Sequence, residues 1–384
     1  MMFKKYNFFL FVLFAVTFAS GQSDTALITL NPYSQTVYNL TDPVSIEVGV
    51  EGVTGLYAIS ITLAFDNSVT KCQSITQGDF LINNPGGYSV FFETFPEDLY
   101  SADSVIIDQS ILGLSSVSGT GELFEITFIP FAVGKSKVKV TSLSLRDMNN
   151  IEIPAVADSA EINVSLSVVN TKVFLQGPFN SGTMSTSLNS LDYLPLIQPY
   201  SSAPWNYMGE EIVAADFFST HPEFVDWVLV ELRTGISAGT TVAKRAALLK
   251  SNGTIVDING IDPVAFFVPT EVEYYLVIRH RSHLPIMSSI SVPLSISTQL
   301  YNFTTGQNKA YGIDPMKDLG SGIYGLITAD TDGSGTVNAA DRSNAWNQRN
   351  LSGYFGTDID LSGTVNAADR SEIWNNRNLS TQVP

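Results

Sequence analysis

The chain has 384 residues, which predicts two or three domains of ordinary size. A hydrophobic content of 44% with 23 phenylalanines indicates a folded protein with sizeable cores and excludes a disordered chain. The formal net charge of −17 argues against nucleic acid or an anionic membrane as partner, because both repel an acidic protein. This charge suits an exported protein that stays soluble and holds divalent cations.

Residues 1–21 have the composition of a signal peptide. Lys4 and Lys5 precede an apolar run from Phe8 to Phe18, and small residues follow it. The run is about half as long as a membrane-spanning helix requires, which favours cleavage over anchoring. No later stretch is long and apolar enough to span a membrane. We therefore expect a secreted or cell-surface protein whose mature chain starts near Gln22.

Cys72 is the only cysteine of the chain. An exported protein with one cysteine has no internal disulfide, so its stability has to come from β-sheet cores and from metal. A lone cysteine in a strand-like stretch is usually a small buried apolar residue. We expect no catalytic role for it.

The segment of residues 24–167 predicts a succession of short strands separated by turns. Apolar and polar residues alternate with a period of two, and no helical pattern intervenes. This arrangement is typical of a two-sheet β-sandwich or jelly roll. The clearest alternating stretches are 44–50, 56–65, 123–129 and 135–143.

Five stretches of this segment resemble a cohesin domain. They are residues 55–66, the Gly-Asp-Phe turn at 78–80, and residues 118–128, 132–134 and 157–164. The resemblance implies a binding domain for dockerins or for carbohydrate-associated partners, with one flat sheet as the contact face. The alternative is an unrelated immunoglobulin-like domain.

The middle segment, residues 169–315, predicts a second β-sandwich that serves as a spacer. Strand patterns return after a polar and aromatic stretch at 180–208, and Asn252-Gly253 is a favourable hairpin turn. In its succession of strands the segment is similar to prealbumin-like and collagen-adhesin B-type domains. That similarity implies no activity.

Two constellations in the middle segment have a functional and a structural interpretation. Arg279-His280-Arg281-Ser282-His283 could bind an anion or supply an acid/base histidine. Successive strand side chains point to opposite faces, so His280 and Arg281 are not expected to share one pocket. Trp205, Tyr207 and Trp227 could stack on a sugar. Structural roles are the favoured interpretation for both groups.

No motif of a known enzyme class stands out. The sequence has no G-x-S-x-G, H-E-x-x-H, Walker or Rossmann pattern. A glycosidase needs only two suitably spaced carboxylates, which no sequence pattern excludes. We expect a protein that is not an enzyme and assign no catalytic residue.

The C-terminal part contains one calcium-loop pattern twice. Residues 330–341 are followed 28 residues later by 358–369, and residues 334–343 recur unchanged as 362–371. Oxygen-bearing side chains occupy loop positions 1, 3, 5, 9 and 12, with glycine at position 6, as in an EF-hand calcium loop. Ordinary surface turns are the alternative. The pattern predicts two Ca²⁺ ions, held by Asp330, Asp332, Ser334, Thr336, Asn338 and Asp341, and by Asp358, Asp360, Ser362, Thr364, Asn366 and Asp369.

Each loop is followed by the same Trp-Asn-x-Arg-Asn-Leu-Ser sequence, at 346–352 and at 374–380. A loop followed by one helix, with an aspartate closing the loop, resembles half of a dockerin module. The resemblance covers residues 325–384. It implies partner contacts at loop positions 10 and 11 and along the following helix. Those positions are Ala339, Ala340, Arg342 and Arg349, and Ala367, Ala368, Arg370 and Arg377.

The sequence thus predicts a mainly β protein: a cohesin-like jelly-roll sandwich, a second β-sandwich and a small α-helical module of two paired loop–helix units. We expect a secreted scaffold or adhesion protein that assembles with cohesin- or dockerin-bearing proteins in a calcium-dependent way. A tie to polysaccharide binding and degradation follows from the resemblance. The alternatives are a carbohydrate-binding surface protein and a glycoside hydrolase component.

Overall fold

A computed structural model describes residues 25–270 and 272–384, so the predicted signal peptide lies outside the described residues. The chain divides into two compact units, with the boundary between Val164 and Ser165. Within the described ranges, no helix has the length and apolar character needed to cross a membrane.

The described part of the first unit is made of strands. Their bounds are β1 Ala26–Asn31, β2 Ser34–Val37, β3 Val44–Leu56, β4 Ala58–Ala64, β5 Thr70–Gln77, β6 Val90–Phe95, β7 Ser104–Ile111, β8 Val117–Pro130, β9 Gly134–Arg146, β10 Glu152–Ile153, β11 Ala155–Ala157 and β12 Ser159–Val164.

These strands form the β-sandwich that the sequence predicts. One sheet has the order β11-β1-β3-β8-β5, and the other has the order β2-β12-β9-β4-β7-β6, with β10 beside β9. Alternate residues of β4 (Ile59, Ile61 and Leu63) are buried, as period-two patterning requires. Cys72 lies fully buried in the same core, and burial raises the pKa of its thiol to about 12. The expectation of a buried cysteine is confirmed.

The described residues of the second unit form the remaining strands and four α-helices. The strands are β13 Ser167–Val169, β14 Thr171–Lys172, β15 Phe179–Asn180, β16 Thr183–Met184, β17 Phe224–Arg233, β18 Thr241–Lys250, β19 Thr254–Val256, β20 Val264–Phe266, β21 Val272–His280, β22 His283–Met287, β23 Val292–Leu294, β24 Tyr301–Asn302, β25 Lys317–Gly320 and β26 Ile323–Gly325. The helices are α1 Ser187–Ser190, α2 Phe217–Thr220, α3 Ala339–Asn347 and α4 Ala367–Asn375.

One large sheet organises this unit. Its order is β22-β21-β17-β18-β19-β14-β24, and β23 also pairs with β21. Asn252 and Gly253, whose φ is +89°, make the predicted turn between β18 and β19. The other sheets of the described unit have two strands each, so the large sheet does not face a second sheet of comparable size. Leu188 and Tyr200, from the polar and aromatic stretch at 180–208, and Phe217 of α2 pack in its core instead.

The duplicated C-terminal loops belong to the same unit as the large sheet. Leu361, at position 4 of the second loop, is fully buried in the core that contains Trp227 and Leu229 of β17. Gly177 lies so close to the second loop that a Cβ atom there would stand 1.8 Å from the carbonyl oxygen of Ile359. The predicted division into domains at 169–315 and 325–384 therefore separates segments that the tertiary structure packs together.

This shared core predicts that a loop residue stabilises the whole second unit. In calcium-free buffer, Leu361→Ala should lower the free energy of unfolding by roughly 2–5 kcal/mol, because it leaves a cavity in the core. Leu351→Ala, a control at a side chain that is 46% exposed, should change it by less than about 0.5 kcal/mol. Urea denaturation followed by tryptophan fluorescence suits the test, because all 4 tryptophans lie in this unit. Equal small effects would show that the loop is peripheral to the core.

Candidate metal centres and partner surface

Each predicted calcium loop turns sharply at its central glycine. Gly335 has φ +82° and Gly363 has φ +90°, values that glycine adopts without steric cost. The turn brings the Gly335 backbone N–H within 3.2 Å of Asp330 Oδ1, and the Gly363 N–H within 2.8 Å of Asp358 Oδ2. The chain thereby wraps around the first carboxylate of each loop.

The end of each loop is also the start of a helix. Asn338 accepts a hydrogen bond from Ala340 N at 2.7 Å, while Asp341 Oδ2 accepts one from Asn338 N at 2.8 Å. This reciprocal capping box recurs at Asn366 and Asp369. The closing aspartates are thus held in place by the first turns of α3 and α4.

The remaining predicted ligands converge on the backbone carbonyl at position 7. Ser334 Oγ and Asn338 Nδ2 donate to Thr336 O at 3.2 and 3.1 Å. Ser362 Oγ and Asn366 Nδ2 donate to Thr364 O in the same way, at 3.4 and 3.1 Å. Positions 5, 7 and 9 are therefore neighbours in both loops.

Three carboxylates meet in each loop. One oxygen from each of Asp330, Asp332 and Asp341 lies within 4.8 Å of the others, and Asp358, Asp360 and Asp369 form the second trio. Burial raises the pKa of Asp330 and of Asp358 to about 7, and neighbouring aspartates contribute to the increase. Such a group of buried like charges requires a counter-charge. Its oxygen-only donor set fits a hard divalent cation.

The two loops close one another. Val337 N donates to Leu379 O at 2.9 Å, and Val365 N donates to Leu351 O at 3.0 Å. The segment after each helix therefore pairs with the loop of the other repeat. Neither repeat completes its loop alone.

The residues predicted to meet a partner lie on one helical region. Ala339, Ala340 and Arg342 are exposed in α3, as are Ala367 and Ala368 in α4. Arg370 is half-buried, and Arg349 and Arg377 are exposed just beyond the helices. The sequence places these eight residues without showing that the two helices share a surface.

Two tryptophans that were not among the predicted partner residues are prominent on this surface. Trp346 and Trp374 are 56% and 52% exposed, and both line a groove of about 680 Å³ between α3 and α4. The Arg370 guanidinium lies 5.6 Å from the Trp346 ring centre, so side chains of the two helices meet across the groove. The sequence signal for them was the tryptophan that recurs at the same position of both repeats. A large apolar side chain is usually expected in a core, so a surface role for these residues was not predicted.

The first unit also presents an exposed sheet face. Phe91, Phe95 and Ile106 on β6 and β7 are 43%, 46% and 40% exposed. Glu93 lies directly opposite Asp108 between these apolar side chains. Like charges opposite one another destabilise a sheet, and a basic partner would relieve the repulsion.

His280 and Arg281, from the Arg279–His283 stretch, form a buried network with Asp226 of β17. His280 Nε2 and Arg281 Nε lie 3.1 and 2.9 Å from the same oxygen of Asp226. The expectation that His280 and Arg281 cannot share a pocket is therefore wrong. Strand β21 ends at His280, and a register shift follows Ile278, so strict alternation of side chains does not extend to Arg281. The burial of the network agrees with the favoured structural role.

The proposed sugar-stacking aromatics are mainly internal. Trp227 is fully buried and its Nε1 donates to Pro195 O at 2.9 Å. Trp205 packs edge-on against Tyr200 at 5.3 Å, and Tyr207 donates to Glu211 at 2.6 Å. Buried aromatics were the favoured interpretation, and Trp227 confirms it.

A second buried acid near this network predicts a pH dependence. Burial opposes the charge of Glu231, but Arg279 and hydrogen bonds from Thr241 and Arg233 outweigh it and lower its pKa to about 2. A lowered pKa contributes stability above the unfolded-state pKa of about 4.5, and this stability is lost as the pH falls towards 2. When the pH is lowered from 7 to 3.5, the free energy of unfolding of the wild type should fall by about 1.4 kcal/mol more than that of Glu231→Gln. Unfolding followed by tryptophan fluorescence at both pH values measures this difference. Equal losses would contradict this assignment.

The sequence of the first unit matches one protein family. Residues 28–164 match the profile of the cohesin domain. The N-terminal region therefore carries a cohesin domain, and the predicted resemblance there is confirmed. No curated relative matches the chain. The profile match ends at residue 164, and the dockerin resemblance of residues 325–384 stays a prediction.

Several solved cohesin structures are similar to part of the chain. A non-cellulosomal cohesin from Archaeoglobus fulgidus shares 12% identity, with 36% of this chain and 91% of that chain covered and a TM-score of 0.30. The Coh-OlpC–Doc435 complex of Clostridium thermocellum shows 12% identity, 38% and 98% coverage and a TM-score of 0.31. The third ScaC cohesin of Acetivibrio cellulolyticus, in complex with the ScaB dockerin, shows 19% identity, 36% and 99% coverage and a TM-score of 0.30. Similarity at this level does not indicate which partner this chain binds.

Proposed function

We propose that this chain is an exported, non-catalytic assembly protein. Its cohesin domain would bind dockerin-type modules, and its calcium-loaded C-terminal repeat would bind cohesin-type modules. The observation that carries the proposal is the pair of carboxylate trios, each within 4.8 Å, in a chain whose residues 28–164 match a cohesin domain. A role in assembling polysaccharide-degrading proteins rests on the dockerin resemblance alone.

The repeat has the chemistry of a pair of calcium sites. The first would be held by Asp330, Asp332, Ser334, Thr336, Asn338 and Asp341, and the second by Asp358, Asp360, Ser362, Thr364, Asn366 and Asp369. A bound cation would neutralise charges that repel one another inside each loop. With three acids per loop, the expected dissociation constants are about 10⁻⁶ to 10⁻³ M.

The two candidate partner faces have opposite character. The groove between α3 and α4 combines Trp346 and Trp374 with four arginines nearby, while Asp341 and Asp369 are buried inside their loops. The sheet face of the cohesin domain presents Glu93 and Asp108 among exposed apolar side chains. Aromatic residues and arginine are enriched at the energetic centres of protein interfaces, which supports a protein as the partner of the groove.

Calcium stoichiometry tests the metal sites. Calorimetric titration of the full chain should show two Ca²⁺ ions, whereas Asp341→Ala and Asp369→Ala should each bind one, because each removes the acid that closes a loop. Asp318→Ala, which removes an exposed acid outside the loops, should still bind two. An unchanged count and affinity in either loop variant would refute the ligand assignment.

Capture experiments test the partner faces. In the presence of calcium, the immobilised full chain should retain cohesin-bearing and dockerin-bearing proteins from the secreted proteins of the source organism. Mass spectrometry identifies the retained proteins. Trp346→Ala with Trp374→Ala should reduce the cohesin-bearing class at least 10-fold, because truncating central aromatics removes most of the binding energy. Phe91→Ala with Phe95→Ala should reduce only the dockerin-bearing class.

The two double variants serve as controls for one another, since each leaves the other face intact. A proportional loss of both classes from either variant would contradict two separate faces. Retention of neither class by the calcium-loaded wild type would contradict the proposed assembly role.

A further inference from the structure

We propose that Arg281 is a positioning residue for the second calcium loop and has no such role for the first. The inference rests on the proposed calcium binding and concerns how the large sheet prepares one of the two loops. Arg281 follows the last residue of β21, and its side chain is only 5% exposed. Its Nε donates to Asp226 at 2.9 Å, and the Asp226 side chain is completely buried.

From this base the guanidinium reaches the segment between α3 and α4. It lies 3.9 Å from the centre of the Tyr354 ring, and its Nη1 donates to the carbonyl oxygen of Phe355. The Tyr354 hydroxyl donates to the other oxygen of Asp226 at 2.6 Å. Asp226, Arg281 and Tyr354 therefore form a closed ring of contacts between the sheet and the repeat.

This ring acts on the first ligand of the second loop. The carbonyl oxygen of Phe355 also accepts the backbone N–H of Asp358 at 3.2 Å. Arg281 and Asp358 thus share one acceptor, and fixing Phe355 fixes the backbone at loop position 1.

The first loop is attached by different means. The stretch before it pairs through its backbone, with Leu326 N donating to Phe174 O at 2.7 Å and Ala329 N donating to Ser282 O at 2.9 Å. Leu326 occupies the position equivalent to Tyr354, 28 residues earlier, and its side chain cannot make the hydroxyl contact. The internal repeat is therefore asymmetric at this point.

The charge of Arg281 and its positioning of the loop backbone predict opposite effects on calcium affinity when Arg281 is removed. A positive charge close to a cation site opposes binding, so its removal would tighten binding if charge decided the affinity. The ion pair with Asp226 offsets the charge of Arg281. The loss of its contact with the loop backbone should therefore decide the affinity. Groups that orient metal ligands typically change metal affinity by about 10- to 100-fold when removed.

The test uses calcium titration of the full chain in two backgrounds. Asp341→Ala leaves the second loop as the working site, and Asp369→Ala leaves the first. Adding Arg281→Met should weaken calcium binding about 10- to 100-fold in the Asp341→Ala background and less than twofold in the Asp369→Ala background. Arg279→Met, which removes the neighbouring arginine that pairs with Glu231 at 2.9 Å, should change neither.

Equal weakening in both backgrounds, no change, or tighter binding in the Asp341→Ala background would overturn the inference. If Arg281→Met does not fold, as judged by near-ultraviolet circular dichroism, Tyr354→Phe decides the question. That variant should weaken only the second loop, by roughly 2- to 10-fold. A wild-type chain that binds no calcium would instead refute the proposed function.

Discussion

The ion pair between Asp226 and Arg281 anchors the segment between the two repeats to the large sheet, because Tyr354 donates a hydrogen bond to Asp226 and Phe355 accepts one from Arg281. Both side chains are buried, so removing either partner would leave an uncompensated charge without access to water. His280, Tyr354 and the backbone N–H of Trp227 supply the other hydrogen bonds of the carboxylate. The sheet and the two candidate calcium loops consequently pack together, with Leu361 of the second loop in the core of the sheet.

Buried aspartates in this unit have two opposite electrostatic environments. At Asp226, Arg281 and hydrogen bonds from His280 and Tyr354 outweigh the cost of burial and lower the pKa to about 2. At Asp330 and Asp358, burial is not balanced by a protein cation of comparable effect, and the pKa rises to about 7. The protein thus supplies a counter-charge that outweighs burial at Asp226 and none that does so in the two loops. This contrast is the physical basis for proposing metal sites there.

The distribution of charge bears on assembly as well. A chain with a net charge of −17 carries four of its 20 basic residues on or beside α3 and α4: Arg342, Arg349, Arg370 and Arg377. Three of them lie over Trp346 or Trp374, where aromatic faces hold the guanidinium groups in place. A preorganised cationic and aromatic surface loses little side-chain entropy on binding. The proposed partner surface is therefore an exception to the acidic character of the chain.

Local patterns in the sequence determined the strand alternation of the cohesin domain, the hairpin at Asn252-Gly253, the glycine turns of the loops and the approach of the three aspartates in each loop. These features depend on residues close together in the chain, so spacing is sufficient to predict them. Tertiary structure alone decided that Leu361 enters the core of the sheet, that Arg281 reaches Phe355, and that Trp346 and Trp374 line one groove. In place of the expected second sandwich, the structure has one large sheet that packs against the polar and aromatic stretch before β17. Asp226 and Tyr354 are 128 residues apart, and no periodic pattern links positions at that separation. Their contact depends on how complete elements pack.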